Sequence, residues 1–217
     1  MQAGLRELPL FPLNVVLFPG QLLPLHIFEP RYRVMIRTCI EQSSPFGVVL
    51  IAGLSPEAPH EVGTTARIAE VERLPDGRMN ILTIGEERFR IHSFRVSEHG
   101  YLIGNVSDYP LESGHPEERQ LAQQLRPQLV RYLQHLSEVS QTPLQLDAVP
   151  SDPTELAMLT AMALQVSLLR KQLLLTSPDL RTLLAAEREL LAQELAMIDL
   201  TERGVHPPPG PASFSVN

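Results

Sequence analysis

Five prolines between residues 9 and 30 constrain this 217-residue chain more than any other feature. They punctuate LPLFPLNVVLFPG and the QLLPLHIFEPRYRVM that follows it, at positions 9, 12, 19, 24 and 30. Proline has no backbone N–H and a fixed φ, so it is tolerated at strand edges, strand ends and turns. The stretch up to Glu29 is therefore expected to form several short strands joined by stiff corners. It can be neither one long helix nor a membrane span.

From Pro30 to Gln42 the grammar turns helical. Tyr32, Met35, Ile36, Cys39 and Ile40 recur at i, i+3, i+4, i+7 and i+8, one face of a helix that opens on proline. FGVVLIAG (46–53) is a continuous apolar run of interior-strand length, and the acidic, proline-containing 55–63 segment reads as a surface loop. GTTARIAEVERL and RMNILTI flank Pro75-Asp76-Gly77, a hairpin turn in which glycine accepts positive φ. Gly85 is expected to break the second strand. ERFRIHSFRV then resumes it, with Phe89 and Ile91 on one face and Arg88, Arg90 and His92 on the other. YLIGNVSDY (101–109) completes a small, strongly curved sheet or partial barrel.

Beyond Pro116 the pattern is helical. Leu121, Leu125, Leu129, Leu133 and Leu136 mark a first helix that Pro127 should kink or divide. An irregular linker, QTPLQLDAVP, leads to Asp152-Pro153-Thr154-Glu155, a capping signature for a helix apolar almost all round from Leu156 to Leu169. Ser177-Pro178-Asp179 is expected to open a third helix in the same way. The expected architecture is α+β: a β-rich unit over 1–112 with one helix, a helical bundle over 113–203, and a disordered tail over 204–217.

Charge and composition narrow the function. The net charge of −7 is spread over both halves, with 10 basic against 13 acidic residues up to Gly114 and 8 against 12 after it. Neither half has the positive excess that phosphate-backbone binding needs. No basic leader precedes an apolar core, and the longest apolar stretch is too short for a bilayer. Cys39, the only cysteine, excludes an internal disulfide. A cytoplasmic protein is expected.

The chemistry-bearing residues form no reactive pattern. Lys171 is the only lysine and has no glycine near it, which excludes a P-loop and argues against a Ser–Lys hydrolase. His26, His60, His92, His99, His115, His135 and His206 show no metal-ligand spacing. Cys39 falls on an apolar helix face, where it reads as a small buried hydrophobe. Glu86 and Glu87 point to opposite faces of a strand, and with Arg88 and Arg90 they read as a surface ion-pair network. No catalytic residue, cofactor or metal is assigned. The polar cluster Glu29, Arg31, Tyr32 and Arg33 reads either as a partner-recognition edge or, with fewer assumptions, as a helix start stabilised by Glu29 with an arginine paired to it.

Five pieces in order, LPLFPLNVVLFPG, PLHIFEPRYRVM, FGVVLI, VGTTARI and GEERFRI, together with LLAAERELLAQELAMI, resemble the amino-terminal domain of Lon-type ATP-dependent proteases, above all its stand-alone forms. The resemblance covers most of residues 8–200. It implies a PUA-like pseudo-barrel of short, mostly antiparallel strands followed by a helical bundle. It also implies a role in recognising unfolded or tagged polypeptides, as partner of a protease or of its substrates. The ATPase and Ser–Lys protease modules of that family have no counterpart in these residues, so a non-enzymatic adaptor or chaperone-like module is expected. Its partner surface is placed near Phe28, Arg31 and Tyr32. RNA recognition, by analogy with PUA-like folds, is the alternative, and a small-molecule hydrolase has no residue in its favour.

Overall fold

A computed structural model describes residues 4–51, 59–142 and 149–202. The expected tail from residue 204, and parts of the expected loop at 55–63 and linker at 141–150, lie outside the described residues. The proline-rich start folds as β1 (Arg6–Leu13) and β2 (Leu22–Ile27), then α1 (Pro30–Gln42). Four more strands follow: β3 (Phe46–Leu50), β4 (Val62–Arg73), β5 (Met79–Val96) and β6 (Leu102–Asp108).

The strands close on themselves. β1 pairs with β3 in parallel and with β6 antiparallel, β3 pairs with β4, β4 with β5, and β5 returns to β6. β2 adds to the outside of this ring, on the first half of β5. The expected β-rich pseudo-barrel with one helix is thus observed. Its interior holds Leu8, Leu10, Val49, Phe89, Leu102 and Val106. A second cluster joins Tyr32, Met35, Ile36 and Cys39 of α1 to Phe11, Ile27, Phe46 and Met79 of the sheet.

The Pro75-Asp76-Gly77 turn forms as expected. Gly77 has φ +80°, and Asp76 accepts from the Arg78 backbone N–H at 3.0 Å. Gly85 does not break β5, which runs on for 18 residues. Its lack of a side chain serves a close approach instead: a Cβ there would sit 2.3 Å from the Phe18 carbonyl oxygen. Between the Ala66–Gly85 and Thr64–Arg88 pairs β5 carries one residue more than β4. A second extra residue lies between Ile91 and Ser93, opposite β6. Such bulges bend a strand strongly, which lets β5 serve two partners in turn.

The helices are α2 (Glu118–Ser140), α3 (Pro153–Ala163), α4 (Leu168–Leu175) and α5 (Leu180–Glu202). Pro127 lies inside α2 without dividing it, on the exposed side. Asp152 caps α3 as expected, accepting from Thr154 and Glu155 N–H at 2.9 and 3.0 Å. The single helix expected over Leu156–Leu169 is two. Leu164 leaves helical geometry, the Tyr132 hydroxyl accepts the Gln165 N–H at 3.0 Å, and Ser167 caps α4. α5 is capped by Asp179, accepting from Thr182 N–H at 2.7 Å, and not by Ser177. The Asp179 carboxylate reaches the free N–H groups of a helix that starts two residues later than the proline suggested.

The bundle core also takes Val16, Phe18, Leu50 and Val62 from the barrel side, so one apolar cluster spans both parts. Within α5, Glu187 is 0% exposed, and neither carboxylate oxygen has a partner among the described residues. Burial pushes its carboxyl well above the ordinary range. A raised folded-state pKa means stability is full below the unfolded pKa of about 4.3 and is lost as pH climbs towards the folded value. Glu187→Leu is therefore expected to stabilise the protein by ~1–3 kcal/mol at pH 7 in urea denaturation, the gain shrinking towards pH 4. No gain at pH 7 contradicts this.

Candidate functional site: the free edge of β2 and the barrel–bundle joint

β2 reads LLPLHI, and its place at the edge follows from the proline. The Gly85 N–H donates to the Gln21 carbonyl at 2.9 Å, and Gln21 stands one residue before the Leu22–Ile84 pair. Antiparallel ladders alternate, so the amides of Leu23, Leu25 and Ile27 face β5, while those of Leu22, Pro24 and His26 face outward. Pro24 costs the ladder no donor there. Among the described residues this outer side has no strand partner. Leu22 is 57% exposed, Phe28 just beyond the strand is 59% exposed, and the His26 ring stacks near Phe28 with centroids 6.0 Å apart.

The Arg67–Arg73 end of β4 also runs past the last β3 pair, at Ala66. That end carries Arg67, Glu70, Glu72 and Arg73, the charged residues that discourage edge pairing. Apolar side chains line the β2 edge instead.

Of the three residues expected at a partner surface, Phe28 is exposed. Arg31 is exposed too, and bonds Glu29 through Nε at 3.0 Å and the Gly100 carbonyl at 3.5 Å. Tyr32 is buried, stacked on Phe11 at 4.1 Å, with the Arg31 guanidinium 4.6 Å above its ring. Burial raises its hydroxyl pKa. Glu29 occupies the N-cap position of α1 but its side chain caps no N–H.

Arg88 and Arg90 do not form the expected surface network with Glu86 and Glu87. Arg88 is 4% exposed. Its Nη1 donates to the Leu175 and Ser177 carbonyls at 2.8 and 2.7 Å, at the end of α4. The Tyr109 hydroxyl donates to the carbonyl between them, Thr176 O, at 3.0 Å, and Gln172 of α4 donates to Val62 O at 2.9 Å. Both guanidinium groups lie against the Tyr109 ring, at 4.8 and 4.5 Å. The outer face of β5 is covered here by the bundle, so strand alternation alone misplaced Arg88 in solvent.

A cleft of ≈ 390 Å³ opens at this joint, lined by Pro19, Glu86, Glu87, Arg88, Tyr109, Leu111 and Met158 among others. No local motif marks it, since its walls come from four separate stretches of chain. Among the described residues no group of three or more His, Cys, Asp or Glu is placed to hold a metal ion, and no helix is long and apolar enough to cross a membrane.

Arg88→Ala takes the Arg88 donor from the Leu175 and Ser177 carbonyls. It is expected to lower stability by about 3 kcal/mol in urea denaturation, a charged donor being lost from a buried site. An unchanged midpoint contradicts the role given to Arg88.

Known proteins match this architecture. Over 88% of this chain and 98% of its own, the crystal structure of a Lon N-terminal domain protein from Xanthomonas campestris superposes with a TM-score of 0.60 at 30% identity. The N-terminal domain of Mycobacterium avium complex Lon protease shares the fold, with a TM-score of 0.70 over 86% of this chain and 98% of that one, at 18% identity. Lon protease 2 of Myxococcus xanthus is 26% identical over 206 residues, 91% of this chain and 25% of the relative. The chain spans only 13% to 26% of the length of such curated relatives. The family model for the substrate-binding domain of ATP-dependent protease La (LON) matches residues 7–193, and the chain belongs to that family.

Proposed function

We propose that this chain is a non-enzymatic, cytoplasmic polypeptide-binding module, an adaptor or chaperone-like factor that holds extended segments of unfolded or tagged proteins. The segment pairs its main chain with the outer side of β2 and rests apolar side chains on Leu22 and Phe28. Strand addition draws affinity from backbone hydrogen bonds and specificity from alternate side chains, which suits partners of varied sequence. The observation that carries the reading is the unpaired outer side of β2, with outward amides at Leu22 and His26 and apolar side chains beside them. The family's substrate-binding description supports the same reading. RNA binding gains nothing from the surface, where Arg6, Arg31, Arg67 and Arg95 each pair with a carboxylate.

Fluorescence anisotropy with a labelled protein kept unfolded by reduction and carboxymethylation, against its native form, tests this. Preference for the unfolded bait is expected. His26→Pro, which removes one outward N–H and none of the β5 ladder, and Phe28→Asp should each weaken binding about tenfold, equivalent to ~1.4 kcal/mol. Equal binding of both baits, or wild-type affinity in His26→Pro, overturns the proposal.

A further inference from the structure

β5 changes partner along its length. Met79–Ile84 pair with β2, Phe89–Val96 pair with β6, and β4 occupies the opposite side throughout Met79–Arg90. Gly85 is bonded to Gly20 and Gln21, and Arg88 O accepts the Tyr109 N–H at 2.9 Å. Glu86 and Glu87 are thus left in a gap between two strands. The joint cleft lies over this gap.

Its surfaces are of two kinds. Pro19, Tyr109, Leu111 and Met158 are half-buried and apolar, while Glu86, Glu87 and Asp108 are exposed at the rim. Arg67 holds Glu86 through a 2.6 Å bond, and Asp108 is paired with Arg6. The Arg88 guanidinium beneath is engaged with the Leu175 and Ser177 carbonyls. The Glu87 side chain makes no hydrogen bond or ion pair among the described residues. Its backbone alone is held, by the Thr65 hydroxyl at 3.0 and 3.2 Å. The volume, ≈ 390 Å³, falls in the ~300–1,000 Å³ range of ligand sites.

The cleft lies beyond the start of β2. Pro19 stands three residues before Leu22, and the Gly20 N–H donates to Gly85 O at 2.8 Å. A chain extended along the six residues of β2 covers ~20 Å, and the cleft lies past the Leu22 end of that strand.

We infer that the cleft is a selective subsite of the polypeptide-binding surface. Its occupant is a partner segment with a large apolar side chain next to an arginine or lysine. The apolar group fills the space between Tyr109 and Met158, and the cation meets Glu87. Glu87, the rim carboxylate without an arginine partner among the described residues, and the protein's net charge of −7 both favour such a segment over an acidic one. This inference rests on the β2 reading above, and deepens it by naming the class of sequence preferred.

Labelled peptides on one extended frame, differing only in a central Phe-Arg, Phe-Glu or Ala-Arg pair, provide the test by anisotropy at low and high salt. The wild type is expected to bind the Phe-Arg peptide about tenfold more tightly than either of the others, with less discrimination against Phe-Glu at high salt. Glu87→Gln should erase the charge preference and Glu87→Lys reverse it. Neither variant removes a described side-chain contact, so folding is spared. If all peptides bind alike to the wild type and to Glu87→Lys, while His26→Pro still weakens binding about tenfold, the subsite is wrong and the β2 edge stands. If Glu87→Lys reverses the preference but His26→Pro binds as the wild type, the subsite stands and the strand-addition reading falls. Binding of none of the peptides overturns both. Self-association in sedimentation that Glu87→Lys abolishes would assign the cleft to a second copy of the chain and overturn the inference.

Discussion

A single buried guanidinium ties the two halves of this protein together. Arg88 leaves β5 on the barrel's outer face and ends on two carbonyls at the close of α4, with the Tyr109 hydroxyl on the carbonyl between them. A buried charge is tolerable only where polar partners replace water, and the end of a helix, with its unsatisfied carbonyls and negative dipole, supplies them. Burial pulls the Arg88 pKa below its ordinary value, and arginine in proteins keeps its proton. The shared apolar cluster, with Val16 and Phe18 reaching into the bundle, completes the attachment. Barrel and bundle are thus one packed body, and Tyr109 and Met158 face one cleft because this joint holds them there.

The barrel's closure decides where another chain can bind. A closed ring has no edges, so strand addition has to use what lies outside it. β2 is that strand, and proline shapes its availability. Pro24 faces outward, which leaves the edge with donors at Leu22 and His26 only. The edge is open among the described residues but weakened by the donor that Pro24 lacks. The charged end of β4 shows the other solution, an edge lined with ionic side chains.

Much of this was legible in the chain. α1 was marked by its apolar spacing and by Pro30. The β4–β5 hairpin was marked by Asp76 and Gly77, and the start of α3 by Asp152. In each case neighbours in sequence decide the geometry. Where distant contacts decide it, the sequence misled. Gly85 signalled a break because its real reason, the Phe18 carbonyl, lies far away in sequence. Arg88 read as solvated because nothing local says that a helix end covers it. The helix over Leu156–Leu169 splits because Tyr132, on another helix, takes the Gln165 amide. The cleft, built from Pro19, Glu86–Arg88, Tyr109–Leu111 and Met158, had no signal of its own for the same reason.

Residue-resolved amide hydrogen exchange, with and without a saturating unfolded polypeptide, reads the account's main claim at the atoms concerned. The N–H groups of Leu22 and His26, exposed to water in the free protein, should gain protection on binding, while those of Leu23, Leu25 and Ile27, already bonded to β5, stay as they were. Protection confined to the bundle, or spread evenly along β2 without this two-residue alternation, would contradict an added strand at that edge.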